Sequence, residues 1–99
     1  MNELSKGIVS ITKRDGRVVP FDLKKIEAAV ENAMRASDEQ KDGAPARVAA
    51  AVEAILLANK KTNPSFTPTV EGVQDEVERQ LINENCAATA KAYILYRAQ

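Results

Sequence analysis

The pair Asp15-Gly16 lies between two segments rich in β-branched residues, and it constrains the fold of this 99-residue chain more than any other feature. The first segment, Ile8 to Lys13, alternates apolar and polar side chains, and the second runs from Arg17 to Phe21. Asp-Gly between such segments is typical of a β-hairpin with a two-residue turn. Pro20 has no N–H to donate, so the second strand is predicted to end there or to lie at a sheet edge.

Four segments with the apolar spacing of helices follow the hairpin. Asp22 is predicted to cap the first, which continues to about Ala36, and Pro45 suits the first turn of the second. The fourth is predicted from Cys86 to Arg97. The apolar positions of the four predicted faces are Leu23, Ile26, Val30, Ala33 and Met34; Val48, Val52, Ile55 and Leu56; Val70, Val73, Val77 and Leu81; and Ala87, Ala90 and Ile94.

The connection between the second and third helices leaves two boundaries open. Ser65 to Thr67 is a candidate third strand, and either Thr67 or Thr69 caps the third helix. The predicted fold class is therefore α+β, with a four-helix bundle capped by a β-hairpin that a third strand extends into a small sheet. A chain of this length forms one domain, predicted over residues 8–99, after an N-terminal tail of residues 1–7.

Composition excludes several classes of function. The chain has no histidine and a single cysteine, which argues against histidine acid–base chemistry, a serine triad, a transition-metal site and an internal disulfide. No segment reaches the roughly 20 apolar residues of a membrane span, and no secretory signal is recognisable, so we predict a cytoplasmic protein with no membrane partner. The formal net charge of zero gives no indication of a surface that binds nucleic acid directly, so no direct nucleic-acid partner is predicted.

Cys86 is the one candidate nucleophile. It lies near a predicted helix start, where the helix dipole lowers the pKa of a thiol. Without a histidine to pair with it, a small buried apolar residue is the favoured interpretation.

Charge is unevenly distributed along the chain. Lys6 to Ile26 holds six cations and two anions, a net +4, whereas Thr69 to Asn85 holds five acids and one cation, a net −4. The acidic segment resembles the solvated face of a helix. Lys24 and Lys25 fall in the first turn of a predicted helix, where the macrodipole disfavours cations. With Lys13, Arg14 and Arg17 on the hairpin, these lysines indicate either an anion site or a solvated basic face.

Four aromatic residues are present, Phe21, Phe66, Tyr93 and Tyr96. Phe21 and Phe66 are predicted to pack between sheet and helices, and a structural role is favoured for Tyr93 and Tyr96. The alternative is that one of the four lies against a purine ring.

Three motifs together resemble the ATP-cone family. They are Ile11 to Gly16 followed by Val19-Pro20-Phe21-Asp22 and Lys25-Ile26; Val73 to Glu78 followed by Leu81; and Ala92 to Arg97. The resemblance implies a helical bundle covered by a small three-stranded sheet. It also implies a regulatory domain of ribonucleotide reductase that binds ATP or dATP, ATP leaving the enzyme active and dATP inhibiting it.

The family pattern also implies which residues hold the nucleotide. They lie on the first strand and hairpin, at the start of the first helix and on the third helix: Ile11, Lys13, Arg14, Asp22, Lys25, Ile26 and Gln74. Lys25 becomes the natural phosphate partner. Val19 departs from members that carry a polar residue there, so recognition of the base would fall to backbone groups.

The resemblance implies further properties. Mg²⁺ is expected to accompany the nucleotide, and the partner is expected to be a reductase catalytic domain or subunit, in cis or in trans. A nucleotide-dependent oligomer is possible in such a system. The hairpin motif is most similar to cones of anaerobic ribonucleoside-triphosphate reductases. Two alternatives stay open: the cone of a nucleotide-responsive repressor of reductase genes, and a helical interaction module without a ligand.

Overall fold

The computed structural model describes residues 10–97, in which two strands precede four helices. The elements are β1 (Ser10–Thr12), β2 (Val18–Pro20), α1 (Leu23–Ser37), α2 (Ala44–Thr62), α3 (Val70–Asn83) and α4 (Ala87–Arg97). The predicted tail of residues 1–7 and the predicted strand start at Ile8 lie outside the described residues. None of the helices described is long and apolar enough to cross a membrane. The predicted α+β class is confirmed.

The hairpin forms where it was predicted, but its turn is one residue longer. β1 and β2 pair antiparallel. The Lys13 N–H donates to the Arg17 carbonyl at 2.7 Å, and the Gly16 N–H donates to the Lys13 carbonyl at 2.9 Å. Three residues therefore separate the closing pair, and Gly16 adopts a φ of +90°, which favours glycine. The Asp15 carboxylate accepts from the Arg17 backbone N–H at 3.0 Å and braces the loop.

The predicted third strand is wrong within the residues described. Ser65 to Thr67 is not a strand, and the Phe66 N–H instead closes a turn on the carbonyl three residues earlier, at 2.8 Å. Within residues 10–97, the connection between α2 and α3 pairs with the sheet only through an isolated parallel bridge between Thr12 and Thr69. In this bridge the Thr12 N–H donates to the Pro68 carbonyl at 3.0 Å. Because Pro68 accepts but cannot donate, the pairing does not propagate into a ladder.

Side-chain caps begin two of the helices. The Asp22 carboxylate accepts from the Lys24 N–H at 3.0 Å, which confirms the predicted cap of α1. At α3 the cap is Thr69 rather than Thr67, because the Thr69 hydroxyl accepts from the Gly72 N–H at 3.0 Å. These caps satisfy N–H groups that have no partner within the helix.

The helices bury a common core. α1 packs against α2 and α4, and α3 packs against α2 and α4. The largest fully buried side chains are Val30 and Met34 of α1, Val48 and Val52 of α2, Val77 and Leu81 of α3, Thr89 of α4, and Cys86. The positions predicted for the core faces of α1, α2 and α3 are buried or half-buried, so the spacing identified those three faces correctly.

The predicted inward face of α4 is partly wrong. Ala90 is buried, but Ala87 is exposed and Ile94 is 47% exposed. Thr89 and Tyr93 occupy the inner face instead. Apolar residues lie on several sides of this helix, so spacing does not select one face. A polar contact of Thr89 decides the orientation.

That contact joins the α1–α2 loop to the start of α4. The Glu39 carboxylate accepts from the Thr89 N–H at 2.7 Å and from the Thr89 hydroxyl at 2.6 Å. The Ser37 hydroxyl lies 3.2 Å from the same hydroxyl. The bonds from Thr89 hold the pKa of Glu39 below its usual range, because they favour the charged carboxylate. Glu39 thus caps a helix about 50 residues further along the chain.

Glu39→Ala is expected to lower the free energy of unfolding by about 1 kcal/mol, because it removes a capping carboxylate. The melting temperature should fall by about 4–8 °C. The carboxylate contributes above the ordinary glutamate pKa of 4.5, and its contribution is lost as pH falls through the lower folded-state pKa. Thermal melts of wild type and variant between pH 3 and 7 should therefore converge at the acid end. Gln40→Ala, an exposed neighbour, is the control, and equal losses in both variants would contradict the capping role.

Candidate functional site

One cavity lies where the hairpin meets the helices. It is about 560 Å³ in volume and is bounded by the hairpin, the first turns of α1, the first turns of α3 and the last turns of α4. The lining residues are Ile11, Lys13, Val19, Pro20, Phe21, Asp22, Lys25, Ile26, Ala29, Val70, Val73, Gln74, Tyr93 and Tyr96. Sequence segments more than 80 residues apart therefore contribute to one site.

Six of the seven candidate site residues line this cavity: Ile11, Lys13, Asp22, Lys25, Ile26 and Gln74. The seventh, Arg14, is not in the lining. Its Nε lies 2.9 Å from a carboxylate oxygen of Glu71, and its side chain is 88% exposed. Arg14 therefore bridges the hairpin loop to the first turn of α3 instead of joining the other six.

Two lysines line the cavity, Lys13 of the hairpin and Lys25 of α1. Neither lysine makes an ion pair with any residue between 10 and 97. Lys25 stands in the first turn of α1, where the aligned peptide dipoles add positive potential. Lys24, its neighbour in the same turn, is exposed as Lys25 is, but it does not line the cavity. Two ammonium groups in one cavity lining, one of them at a helix N-terminus, are suited to an anion such as a phosphate.

The acidic segment, predicted to be the solvated face of a helix, forms ion pairs with cations; Asp75 is exposed and Glu76 is buried. Asp75 and Glu78 both accept hydrogen bonds from the Arg97 guanidinium, and Glu84 pairs with Arg47. Glu71 and Glu76 also form ion pairs, with Arg14 and Arg79. These pairs leave the charges of Lys13 and Lys25 uncompensated by the acidic segment.

The lining also includes two tyrosines of α4. Tyr93 and Tyr96 have ring centroids 5.9 Å apart, with ring planes inclined at 36°. Tyr93 is only 5% exposed, whereas Tyr96 is 54% exposed. Burial raises the pKa of Tyr93 to about 12, so its hydroxyl stays protonated at neutral pH. Tyr93 packs in the core and also lines the cavity, whereas Tyr96 lines the cavity without belonging to the core.

The other residues that line the cavity are apolar, and residue type alone did not identify them as site residues. Val19, Pro20, Ala29, Val70 and Val73 carry no functional groups that mark a binding site. The spacing placed Val70 and Val73 on the core face of α3; Val73 is buried in the core, and Val70 is half-buried. Val19, Pro20 and Phe21 follow one another in the hairpin and all line the cavity, so strand alternation does not single out one of them.

The other sites considered from the sequence gain little support. Cys86 is buried, and burial raises the pKa of its thiol, which is the opposite of an activated nucleophile. Within residues 10–97 no group of three or more His, Cys, Asp or Glu side chains is arranged to hold a metal ion. Among the residues that line the cavity, Asp22 is the one that carries a carboxylate.

Known reductases resemble the chain. A ribonucleoside-diphosphate reductase subunit alpha of Chlamydia trachomatis is 36% identical over 95 residues, which are 90% of this chain and 9% of that protein. A vitamin B12-dependent ribonucleoside-diphosphate reductase of Mycobacterium tuberculosis is 38% identical over 87 residues, 88% of this chain and 12% of that protein. One from Thermoplasma acidophilum is 35% identical over 95 residues, or 91% of this chain and 12% of that protein.

The chain thus spans about a tenth of the length of these relatives. The family model described as the ATP cone domain matches residues 9–99, which include both strands and all four helices. A match over nearly the whole chain, on a fold that places a cationic cavity between hairpin and bundle, establishes the family. The chain belongs to the ATP-cone domain family.

Proposed function

We propose that this cone binds ATP or dATP in the cavity between hairpin and bundle, and thereby regulates the overall activity of a ribonucleotide reductase. One observation carries the proposal. Six residues that the family pattern assigns to the nucleotide line a single cavity, and the lysines among them have no ion-pair partner in residues 10–97.

The cavity suits an adenine nucleotide in size and chemistry. Its volume of about 560 Å³ lies within the range typical of small-molecule sites, roughly 300–1,000 Å³. The ammonium groups of Lys13 and Lys25, with the dipole of α1, favour a triphosphate. The apolar and aromatic lining favours the base. Mg²⁺ prefers phosphate oxygens with one or two carboxylates, and Asp22 could supply one carboxylate beside the phosphates.

Regulation requires that ATP and dATP favour different conformations, ATP permitting activity and dATP inhibiting it. The partner in this proposal is a reductase catalytic domain or subunit, joined in cis or met in trans, in the cytoplasm. A nucleotide-dependent oligomer would be one way to transmit the signal. The relatives named above are diphosphate reductases, and the assignment to the anaerobic triphosphate class stays a prediction.

The proposal is tested by calorimetric titration of the chain with ATP, dATP, GTP and dCTP, each with and without Mg²⁺. We expect the two adenine nucleotides to bind most tightly. Their Kd values should differ by about 2- to 12-fold, because one hydrogen bond to the 2′-hydroxyl contributes about 0.5–1.5 kcal/mol. Equal binding of all four would indicate a general anion site. Absence of binding would favour the interaction module without a ligand.

A further inference from the structure

The chain contains two Asp-Gly pairs, and the structure holds them differently. One begins at Asp15 in the hairpin loop, the other begins at Asp42 just before α2, and both are exposed. Aspartate rearranges most readily before glycine, because glycine has no side chain to keep its backbone nitrogen away from the preceding carboxyl group. The two pairs share this intrinsic reactivity, so any difference between them comes from the fold.

The hairpin pair has hydrogen bonds on both groups that would have to react. The Asp15 carboxylate accepts from the Arg17 backbone N–H at 3.0 Å and from Arg17 Nε at 2.8 Å. The Gly16 N–H donates to the Lys13 carbonyl at 2.9 Å. The bonds from Arg17 also hold the pKa of Asp15 below its usual range. The charged carboxylate that they favour reacts poorly, because the carboxyl group must lose an oxygen as water.

The same two groups of the second pair have no hydrogen-bond partner within residues 10–97. No donor lies against the Asp42 carboxylate, and the Gly43 N–H donates to no acceptor. Only the backbone carbonyl of Asp42 is engaged, accepting from Arg47 Nη1 at 3.1 Å. The carboxyl group and the neighbouring nitrogen are therefore free to meet in an exposed turn.

We propose that Asp42-Gly43 is a site of isoaspartate formation in the folded chain, whereas the hairpin pair is protected. The Gly43 nitrogen forms a bond to Cγ of Asp42 and loses its proton, and the carboxyl hydroxyl leaves with that proton as water. A water molecule then adds to the backbone carbonyl carbon of Asp42 in the cyclic imide, and the bond from that carbon to the Gly43 nitrogen breaks. The main chain now runs through Cγ, and water is the only co-reactant.

This inference is independent of nucleotide binding. No residue of α2 or of the loop before it lines the cavity. The product differs from the original chain in carrying a free α-carboxylate at position 42, close to the Arg47 guanidinium that bound the former carbonyl. The chemical class of enzyme that would recognise this product is a methyltransferase acting on isoaspartyl carboxylates.

The test compares the two pairs in one sample. The full chain is incubated at neutral pH and physiological temperature, folded in buffer or unfolded in guanidinium chloride. Peptides spanning each pair are then separated by chromatography, and electron-based fragmentation identifies the isomer, whose mass is unchanged. Both pairs should react in the unfolded chain. In the folded chain Asp15 should react at least about tenfold more slowly than Asp42, because hydrogen bonds on both of its reacting groups must break first.

Two variants separate the fold from the sequence. Asp42→Glu keeps the charge but requires a larger cyclic imide, which forms much less readily, so position 42 should stay unmodified. Arg17→Ala removes the side-chain donor to Asp15 and should speed isomerisation at position 15 in the folded chain. Gly43 is left unchanged, because its φ of +76° would strain any other residue.

Isoaspartate at Asp42 with little at Asp15 in the folded chain would support the proposal. Equal conversion of the two pairs, or faster conversion at Asp15, would overturn it, because the fold would then make no such distinction. An unreacted Asp42 in the folded chain, over the time in which the unfolded chain converts both pairs, would overturn it as well. Each result is read without nucleotide, so the regulatory function stands or falls separately.

Discussion

Lys25→Ala is expected to weaken ATP binding by about 10- to 100-fold. Lys25 lines the cavity, as Lys13 does, has no ion-pair partner in residues 10–97 and lies in the first turn of α1. A hydrogen bond to a charged group contributes about 1.5–3 kcal/mol, and each 1.4 kcal/mol changes the affinity tenfold. Calorimetric titration of wild type and variant with ATP at fixed ionic strength measures the effect.

Lys24→Ala is the matched control for this variant. Both lysines are exposed in the same helical turn, but Lys24 does not line the cavity. Removing either cation relieves an unfavourable interaction with the helix dipole, so neither variant should unfold the domain. A loss of binding confined to Lys25→Ala would support a direct phosphate contact. Equal losses in the two variants would show that only the general positive potential matters.

Ala29→Phe is expected to reduce ATP binding by at least tenfold, because the added ring would occupy the cavity. Ala29 lies one turn after Lys25 on α1, is half-buried and lines the cavity. Forcing extra atoms into a packed site typically costs about 1–3 kcal/mol, and in this variant that cost would weaken the free energy of nucleotide binding. Calorimetry with ATP measures the affinity, and a thermal melt of the unliganded variant shows whether the domain stays folded.

Ala28→Phe tests whether the effect arises from the cavity rather than from the helix. Ala28 is exposed on the adjacent face of α1, so the same substitution changes helix propensity equally but leaves the cavity open. We expect wild-type binding from this variant. Unchanged ATP binding in a folded Ala29→Phe variant would mean that the nucleotide binds elsewhere on the domain.

Local features were predictable where one short-range interaction decides the outcome. The carboxylate of Asp22 caps α1 because it reaches an N–H two residues away, and such an interaction does not depend on the rest of the fold. The spacing of valines and leucines in α1, α2 and α3 identified their buried faces, since each of those helices has a clear apolar side. The hairpin was predictable for the same reason, although Gly16 gives it a three-residue loop.

Predictions failed where several local choices were nearly equivalent. A third strand at Ser65 to Thr67 would have required a ladder with β1, but Pro68 can only accept from Thr12. The face of α4 was ambiguous because apolar residues surround the helix. It was decided by Glu39, which binds Thr89 from 50 residues earlier in the chain. No pattern within either segment reveals such a contact.

The candidate site shows the same division. The sequence by itself determined the cationic character of the hairpin and α1, and its motifs identified six residues that line the cavity. Only the tertiary structure decided that Arg14 pairs with Glu71 instead, and that Tyr93 and Tyr96 line the same cavity. Charge, spacing and caps are properties of short segments, whereas a cavity exists only between elements. Its shape depends on how the packed helices bring distant residues together.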